Sequence, residues 1–311
     1  MTPFPLLKLP FVAMRHVLSM MTPFELINVS LISSRAKSIV TNFGPRFKGY
    51  LDTSLVITLY DNGVWRYTMT SDESKDDEVT SSDPRIQESF KYSKDPIEEW
   101  KKWYKYIKEV LRCRFYRVVF DLNSPGPGFR EILDWLKCQQ DVFDTMSIRS
   151  NQECGDDLNY ILGAFPNVSE LTIMVSNFKE DFKIKIPNGL NQLLIPNATF
   201  IDIEQFLKLN AQTIVFIEHI LTNEEINRFV RGWMSMETHV GLKTLCLQME
   251  NEERFNGMLT GIPFQQITDV EVLKACEHGL QGNDMFIIER CDGKRCLVYV
   301  LSRVYLHMQV L

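Results

Sequence analysis

Phe4-Pro5-Leu6-Leu7-Lys8-Leu9-Pro10, an apolar-patterned run to Met21, then Thr22-Pro23-Phe24-Glu25 and a second run to Val40 form the stretch that decides the N-terminal fold. Thr22 can cap a helix, and Pro23 suits the first helical position, where no amide hydrogen is missed. Glu25 can reach back to the cap, so the four residues make a capping box. Pro10 can open an earlier helix through Met21, and Ser33 or Ser34 can open a third. About forty residues therefore hold three short helices with almost no loop between them. Leu6, Leu7, Leu9, Phe11, Val12, Val17, Leu18, Met20, Phe24, Leu26 and their apolar neighbours are too many for the core of so small a unit. A small body has much surface for its volume, so part of this set is expected to face a partner.

Outward from that stretch, Leu55–Tyr60 and Val64–Met69 flank Asp61-Asn62-Gly63, which predicts a hairpin whose Asn-Gly turn supplies positive φ. Residues 70–84 carry Asp72, Glu73, Asp76, Asp77, Glu78 and Asp83 against Lys75, a local net charge of −5. This segment reads as a flexible, solvated surface loop rather than a phosphorylation segment. Asp95-Pro96-Ile97-Glu98 is a second capping box, and Ile97, Trp100, Tyr104, Ile107 and Leu111 line one face of the helix it opens.

Beyond this point the chain repeats itself. The pattern apolar-x-x-apolar-x-apolar recurs as Phe115/Val118/Phe120, Phe143/Met146/Ile148, Val168/Leu171/Ile173, Leu190/Leu193/Ile195, Ala211/Ile214/Phe216 and Leu242/Leu245/Leu247. The central residues stand 28, 25, 22, 21 and 31 positions apart. Phe129–Gln139 and the run after the capping box Thr222-Asn223-Glu224-Glu225 supply helical returns. A short strand burying alternate residues, with a helix returning behind it and neighbours covering each other, is the physics of an irregular leucine-rich-repeat-like solenoid. Met285–Arg290 and Leu297–Leu301 flank Asp292-Gly293-Lys294, a terminal hairpin suited to close the last repeat. The expected fold class is α/β: a three-helix module, then a curved repeat sheet with helical returns, then a β-hairpin. The expected divisions are residues 1–42, 43–96 and 97–311.

Composition narrows the function. The net charge is −6, of which −5 is the acidic segment, so no general basic field exists to hold nucleic acid. No run approaches ~18 uninterrupted apolar residues, which excludes a membrane-spanning helix. The first apolar run is broken by Lys8, Pro10 and Arg15 and does not read as a signal peptide. The seven cysteines lack any Cys-x-x-Cys pair, so a zinc ribbon is not expected, and reduced thiols in the cytoplasm or nucleus are. Cys291 and Cys296 flank a turn and read as a chance cross-strand pair rather than a redox switch. There is no nucleophile elbow and no phosphate-binding glycine loop, and Gly126-Pro127-Gly128 reads as a turn. No pair among the five histidines stands at metal-ligand spacing. Catalytic residues, metal and cofactor are all expected to be absent.

The repeat also fixes a candidate recognition face. Residues between the buried positions of a strand point to the other side of the sheet. Val119, Ser147, Thr172, Leu194, Val215 and Cys246 are expected there, flanked by Arg117, Asp121, Arg149, Glu170, Met174 and Ile217. Arg117, Val119, Arg149, Met174, Leu194, Val215 and Ile217 are the candidate target contacts; the alternative is that a loop or the terminal hairpin covers these apolar groups.

The N-terminal stretch resembles an F-box. The matching residues are Leu9-Pro10, Val17-Leu18, Thr22-Pro23, Leu26 and Leu31-Ile32-Ser33-Ser34-Arg35, with Ala36 where many members carry Trp. Its opening is typical of a large nematode group of F-box proteins. Residues from about Trp100 to Arg295 are similar to the F-box-associated domain of type 2, on Asp134-Trp135-Leu136, Leu221–Asn227, Trp233–Thr238 and the Asp292-Gly293 hairpin. The resemblance implies a substrate receptor of a Skp–cullin–F-box ubiquitin ligase. Leu9, Pro10, Val17, Leu18, Pro23 and Leu26 would dock a Skp-family adaptor, and through it a cullin. The C-terminal domain would hold an unidentified protein target. The alternatives are a repeat-type binding module with a helical cap and no ubiquitin role, and an unrecognised enzyme.

Overall fold

The computed structural model describes residues 9–83, 85–123, 128–140, 142–179, 182–249, 257–267, 285–301 and 304–311. Leu6, Leu7, the Gly126-Pro127 turn, Cys276 and His278 lie outside them. Two compact units divide the chain, Met1–Thr145 and Met146–Leu311.

The first unit opens with helices α1 (Phe11–Met20), α2 (Pro23–Leu31) and α3 (Ser34–Phe43). Two of the three begin at a side-chain cap. Pro10 precedes α1, Ser33 accepts from Ala36 N at the head of α3, and the Thr22/Glu25 capping box is complete in both directions. Strands β1 (Lys48–Asp52), β2 (Val56–Asp61), β3 (Gly63–Thr70), β4 (Val79–Asp83) and β5 (Ile86–Tyr92) follow, then α4 (Pro96–Val110), β6 (Arg114–Asp121) and α5 (Phe129–Gln139). Their sheet order is β6-β1-β2-β3-β5-β4. Strands β1 and β6 run parallel, as do β3 and β5. The expected helical module, hairpin and first repeat share one unit because they share packing. Phe24 of α2 meets Trp65 and Tyr67 of β3, and Tyr67 stacks on Trp103 of α4.

Two expectations about this unit change. The β2–β3 hairpin forms, but neither Asn62 nor Gly63 has positive φ. Glycine is needed at 63 because an added Cβ would lie 2.8 Å from the Arg85 carbonyl oxygen. The acidic segment is not a free loop. A 3₁₀ turn over Glu73–Lys75 leads into β4, which pairs antiparallel with β5 at the sheet edge. Asp77 N donates to Phe90 O at 3.1 Å, and Phe90 N to Glu78 O at 3.1 Å. Acidic side chains leading into an edge strand and at its end discourage pairing with other chains, so composition that reads as disorder also suits this edge.

The second unit contains β7 (Thr145–Ser150), α6 (Gly155–Ala164), β8 (Glu170–Val175), β9 (Leu190–Asn197), α7 (Ile203–Phe206), β10 (Ala211–Glu218), α8 (Asn223–Met234), β11 (Thr244–Gln248), β12 (Gln265–Gln266), β13 (Met285–Glu289), β14 (Arg295–Leu301) and β15 (Tyr305–Val310). Their order is β12-β13-β14-β15-β11-β10-β9-β8-β7. Strands β8, β9, β10 and β11 pair in parallel, and the repeat trios align, with Leu171 opposite Leu193, Leu193 opposite Ile214 and Ile214 opposite Leu245. All eighteen trio residues of the chain are buried. Helices close over that face: Phe206 of α7 packs on Phe216 of β10 and Phe229 of α8. In the first unit Trp100 and Tyr104 of α4 meet Trp135 of α5, and Tyr104 stacks on Phe115 of β6. Asparagines tie successive turns, Asn177 donating to Asn151 O at 2.6 Å and Asn197 to Ser176 O at 3.3 Å.

The terminal hairpin is present as β13 and β14, with Gly293 at φ +83 in its turn. It joins the repeat sheet through β15, a strand the sequence reading did not assign, which pairs antiparallel with both β11 and β14. Arg290, buried beneath the turn, donates to both Asp292 oxygens and to Val240 O at 2.8 Å, and its guanidinium lies over Trp233. The fold is thus α/β, with three N-terminal helices, a large sheet and a terminal hairpin.

Candidate functional site

The three N-terminal helices separate their apolar residues into two sets. Met14, Leu18, Pro23, Leu26, Ile27, Ala36, Ile39 and Val40 form the interior. Phe11, Val12, Met20, Leu31 and Ile32 remain 52%, 77%, 64%, 57% and 75% exposed. Isolated exposed apolar side chains need no explanation, but four on α1 and α2 and a fifth at the cap of α2 are a concentration of the kind that suits a contact surface. The module is held by its inner side. Phe24 reaches the hairpin, Ser30 Oγ lies 2.9 Å from the Tyr106 hydroxyl, and Lys37 pairs with Glu109 at 2.9 Å.

Of the six residues expected to contact an adaptor, Pro10 is exposed and Leu9 and Val17 are half-buried. Leu18 and Leu26 are fully buried, and Pro23 is buried as well. These three hold the helices together, because the stripe that recurs along α1 and α2 faces the module's own interior. Phe11, Val12, Met20, Leu31 and Ile32 carry the exposed surface. Sequence periodicity counts apolar residues without saying which stripe turns outward. Ile32 caps α2, where the chain turns, and belongs to no stripe.

The recognition face divides between the units. In the first, Arg117 is half-buried with its guanidinium over Tyr50, and Val119 is 4% exposed. Val118-Val119-Phe120 is a continuous apolar run, the signature of a parallel strand buried on both faces, so Val119 is core rather than contact. In the second unit Ser147 is also buried, while Arg149, Leu194, Val215 and Ile217 are half-buried and Met174 is 41% exposed. Pairing places Thr172, Leu194, Val215, Cys246 and His307 side by side across five strands. Tyr299 stacks on His307 at 5.2 Å, and Cys246 Sγ lies 3.5 Å from His307 Nε2. His307 and Tyr299 escaped the sequence reading because β14 and β15 enter by antiparallel addition, outside the repeat.

Burial governs the titration of four thiols. It pushes Cys113 and Cys296 up to about 12 and raises Cys154 and Cys246, away from the thiolate that a nucleophile needs. Cys291 is exposed and Cys296 buried, and both are free thiols. Among the described residues no group of three or more His, Cys, Asp or Glu is arranged to hold a metal ion. None of the described helices is long and apolar enough to cross a membrane.

No curated protein matches the chain. Two family models do: the F-box domain over residues 6–48, which spans α1–α3, and the F-box associated family over residues 171–247, which spans β8 to β11. The second match is narrower than the resemblance from about Trp100 to Arg295, and it coincides with the parallel strands and their helical returns. The chain carries an F-box domain followed by an F-box-associated domain.

Proposed function

We propose that this chain is the substrate-receptor subunit of a Skp–cullin–F-box ubiquitin ligase. The observation that carries the reading is the exposed apolar set Phe11, Val12, Met20, Leu31 and Ile32 on a matched F-box whose opposite side is anchored. Such a surface suits burial in an adaptor, and the adaptor would link the chain to a cullin. The row Thr172-Leu194-Val215-Cys246-His307, with Ile217 and Met174 beside it, has an apolar centre and a polar residue at each end, a composition that suits a recognition surface. In this reading the chain performs no chemistry. It raises the effective concentration of a protein target near a separate ubiquitin-carrying enzyme, and proximity supplies the acceleration. An adaptor-linked receptor works inside the cell, in cytoplasm or nucleus.

Proximity labelling in cells compares the wild type with Ile32→Lys. The expected result is an adaptor and a cullin among the neighbours of the wild type, both missing from the variant, with other neighbours retained. Identical neighbours for the two chains would defeat the reading. Deleting the F-box is a poorer control, because it would uncover Trp65 and Tyr67.

A further inference from the structure

A second feature adjoins the apolar docking surface. A cleft of about 520 Å³ opens between the start of α1, the end of α3 and the joint between α4 and β6. Phe11 and Phe43, in edge-to-face contact at 4.9 Å, form one wall. Arg15, Arg46 and Arg112 supply three guanidinium groups, and no carboxylate lines the cleft. All three arginines are exposed, and among the described residues none of them makes an ion pair. Arg112 donates to Asn42 Oδ1 at 3.4 Å, which turns it toward the α3 end.

Arg112 also sits at φ +47, in the left-handed region that glycine or asparagine fills at least cost. Leu55, Met236 and His239 share that region, so the strain does not by itself single out Arg112; it makes glycine the substitution that removes the guanidinium at least backbone cost. Outside the acidic segment the chain is close to neutral, so three arginines in one cleft with no carboxylate in its lining form a local positive patch.

We propose that this cleft seats an acidic segment, several Asp or Glu side chains, of the protein that docks on the adjoining apolar surface. The inference rests on the docking reading. Phe11 belongs to both features, and Arg15 lies one turn from it on the same face of α1. A partner covering Phe11 therefore extends over the cleft. The cleft is far larger than a single oxyanion, which needs room comparable to a few waters of ~30 Å³ each. Unpaired guanidinium groups at an interface rim steer an acidic partner and fix its register.

The test uses the full chain as wild type, as Arg15→Ala/Arg46→Ala and as Arg112→Gly, which removes the guanidinium while relieving the backbone. Each is titrated with a labelled hexaglutamate peptide and with a purified Skp-family adaptor at two salt concentrations. Hexaglutamate should bind the wild type at low salt and bind both variants roughly tenfold more weakly. Adaptor affinity should fall several-fold with a shallower salt dependence, at an unchanged melting temperature for the double variant and an equal or higher one for Arg112→Gly. Equal hexaglutamate binding by all three chains, or none by the wild type, overturns the proposal. Millimolar inorganic phosphate protecting the cleft where hexaglutamate does not bind would make it a phosphoryl site and overturn it too. Adaptor binding that is tight and identical in all three overturns the proposal and leaves the docking reading standing. Adaptor binding absent from the wild type removes the docking reading and this occupant together.

Discussion

Leu26 and Ile32 stand six positions apart and do opposite jobs. Leu26 is fully buried and Ile32 is 75% exposed. Leu26→Ala leaves a cavity and should cost about 2–5 kcal/mol, read as a lower melting temperature of the first unit. Ile32→Lys meets only solvent in the free chain, should shift stability by no more than about 0.5 kcal/mol, and should abolish adaptor binding. Charge placement thus separates folding from docking, which a lysine at Leu26 would confound. His239 is the other residue with a distinct signature. It sits buried against Phe206 and Phe229, with its Nδ1 2.7 Å from the Thr238 hydroxyl, and burial lowers its pKa from 6.5 to about 4. A depressed histidine favours the fold while neutral. Its contribution is complete above pH 6.5 and is lost as pH falls toward 4, up to about 3 kcal/mol. Denaturant titrations across that window should show falling stability in the wild type and a flatter profile in His239→Asn. Asparagine tolerates the left-handed φ of +49 at this position. The carboxylates held low, such as Asp292 at about 2 beside Arg290, lose their contribution only below this window.

At the scale of elements, the capping boxes and the acidic strand give the sharpest tests. Thr222 accepts from Glu225 N while Glu225 accepts from Thr222 N, so Thr222→Ala should cost about 1 kcal/mol, measured by thermal melting. Replacing residues 72–82 by a short Gly/Ser link should lower the melting temperature of the first unit and promote aggregation. It deletes the pairing partner of β5 and bares its edge. An unchanged midpoint without aggregation would return the segment to a passive loop. The same elements show what can be read from the chain. Helix starts were legible because a cap is a local chemical event, as at Thr22, Ser33 and Thr222. At Asp95 only the forward half of the box forms, while Glu98 pairs with Lys101 instead. The repeat trios were legible because strand alternation maps directly onto burial. Strand β4 was not, since six acids in its neighbourhood outweigh Val79 and Thr80 in any compositional reading. Strand β15 was passed over although Leu306 and Met308 alternate, because its partner β11 lies some sixty residues earlier.

The whole molecule carries two surfaces to which separate tasks are proposed. The F-box surface belongs to the first unit and the apolar row to the second, and each can be damaged alone. Val215→Asp with Ile217→Asp adds charge to half-buried positions and should leave cooperative unfolding and adaptor binding intact while target capture is lost. Outright unfolding would show that this face is core. The central claim is the docking itself. Its most direct measurement is calorimetric titration of the purified full chain with a purified Skp-family adaptor, wild type beside Ile32→Lys, with melting of both chains recorded in the same buffer. A one-to-one complex with the wild type, no heat of binding with the variant, and equal melting temperatures for the two chains are expected. No complex with the wild type, or the same affinity in a folded Ile32→Lys chain, would contradict that claim.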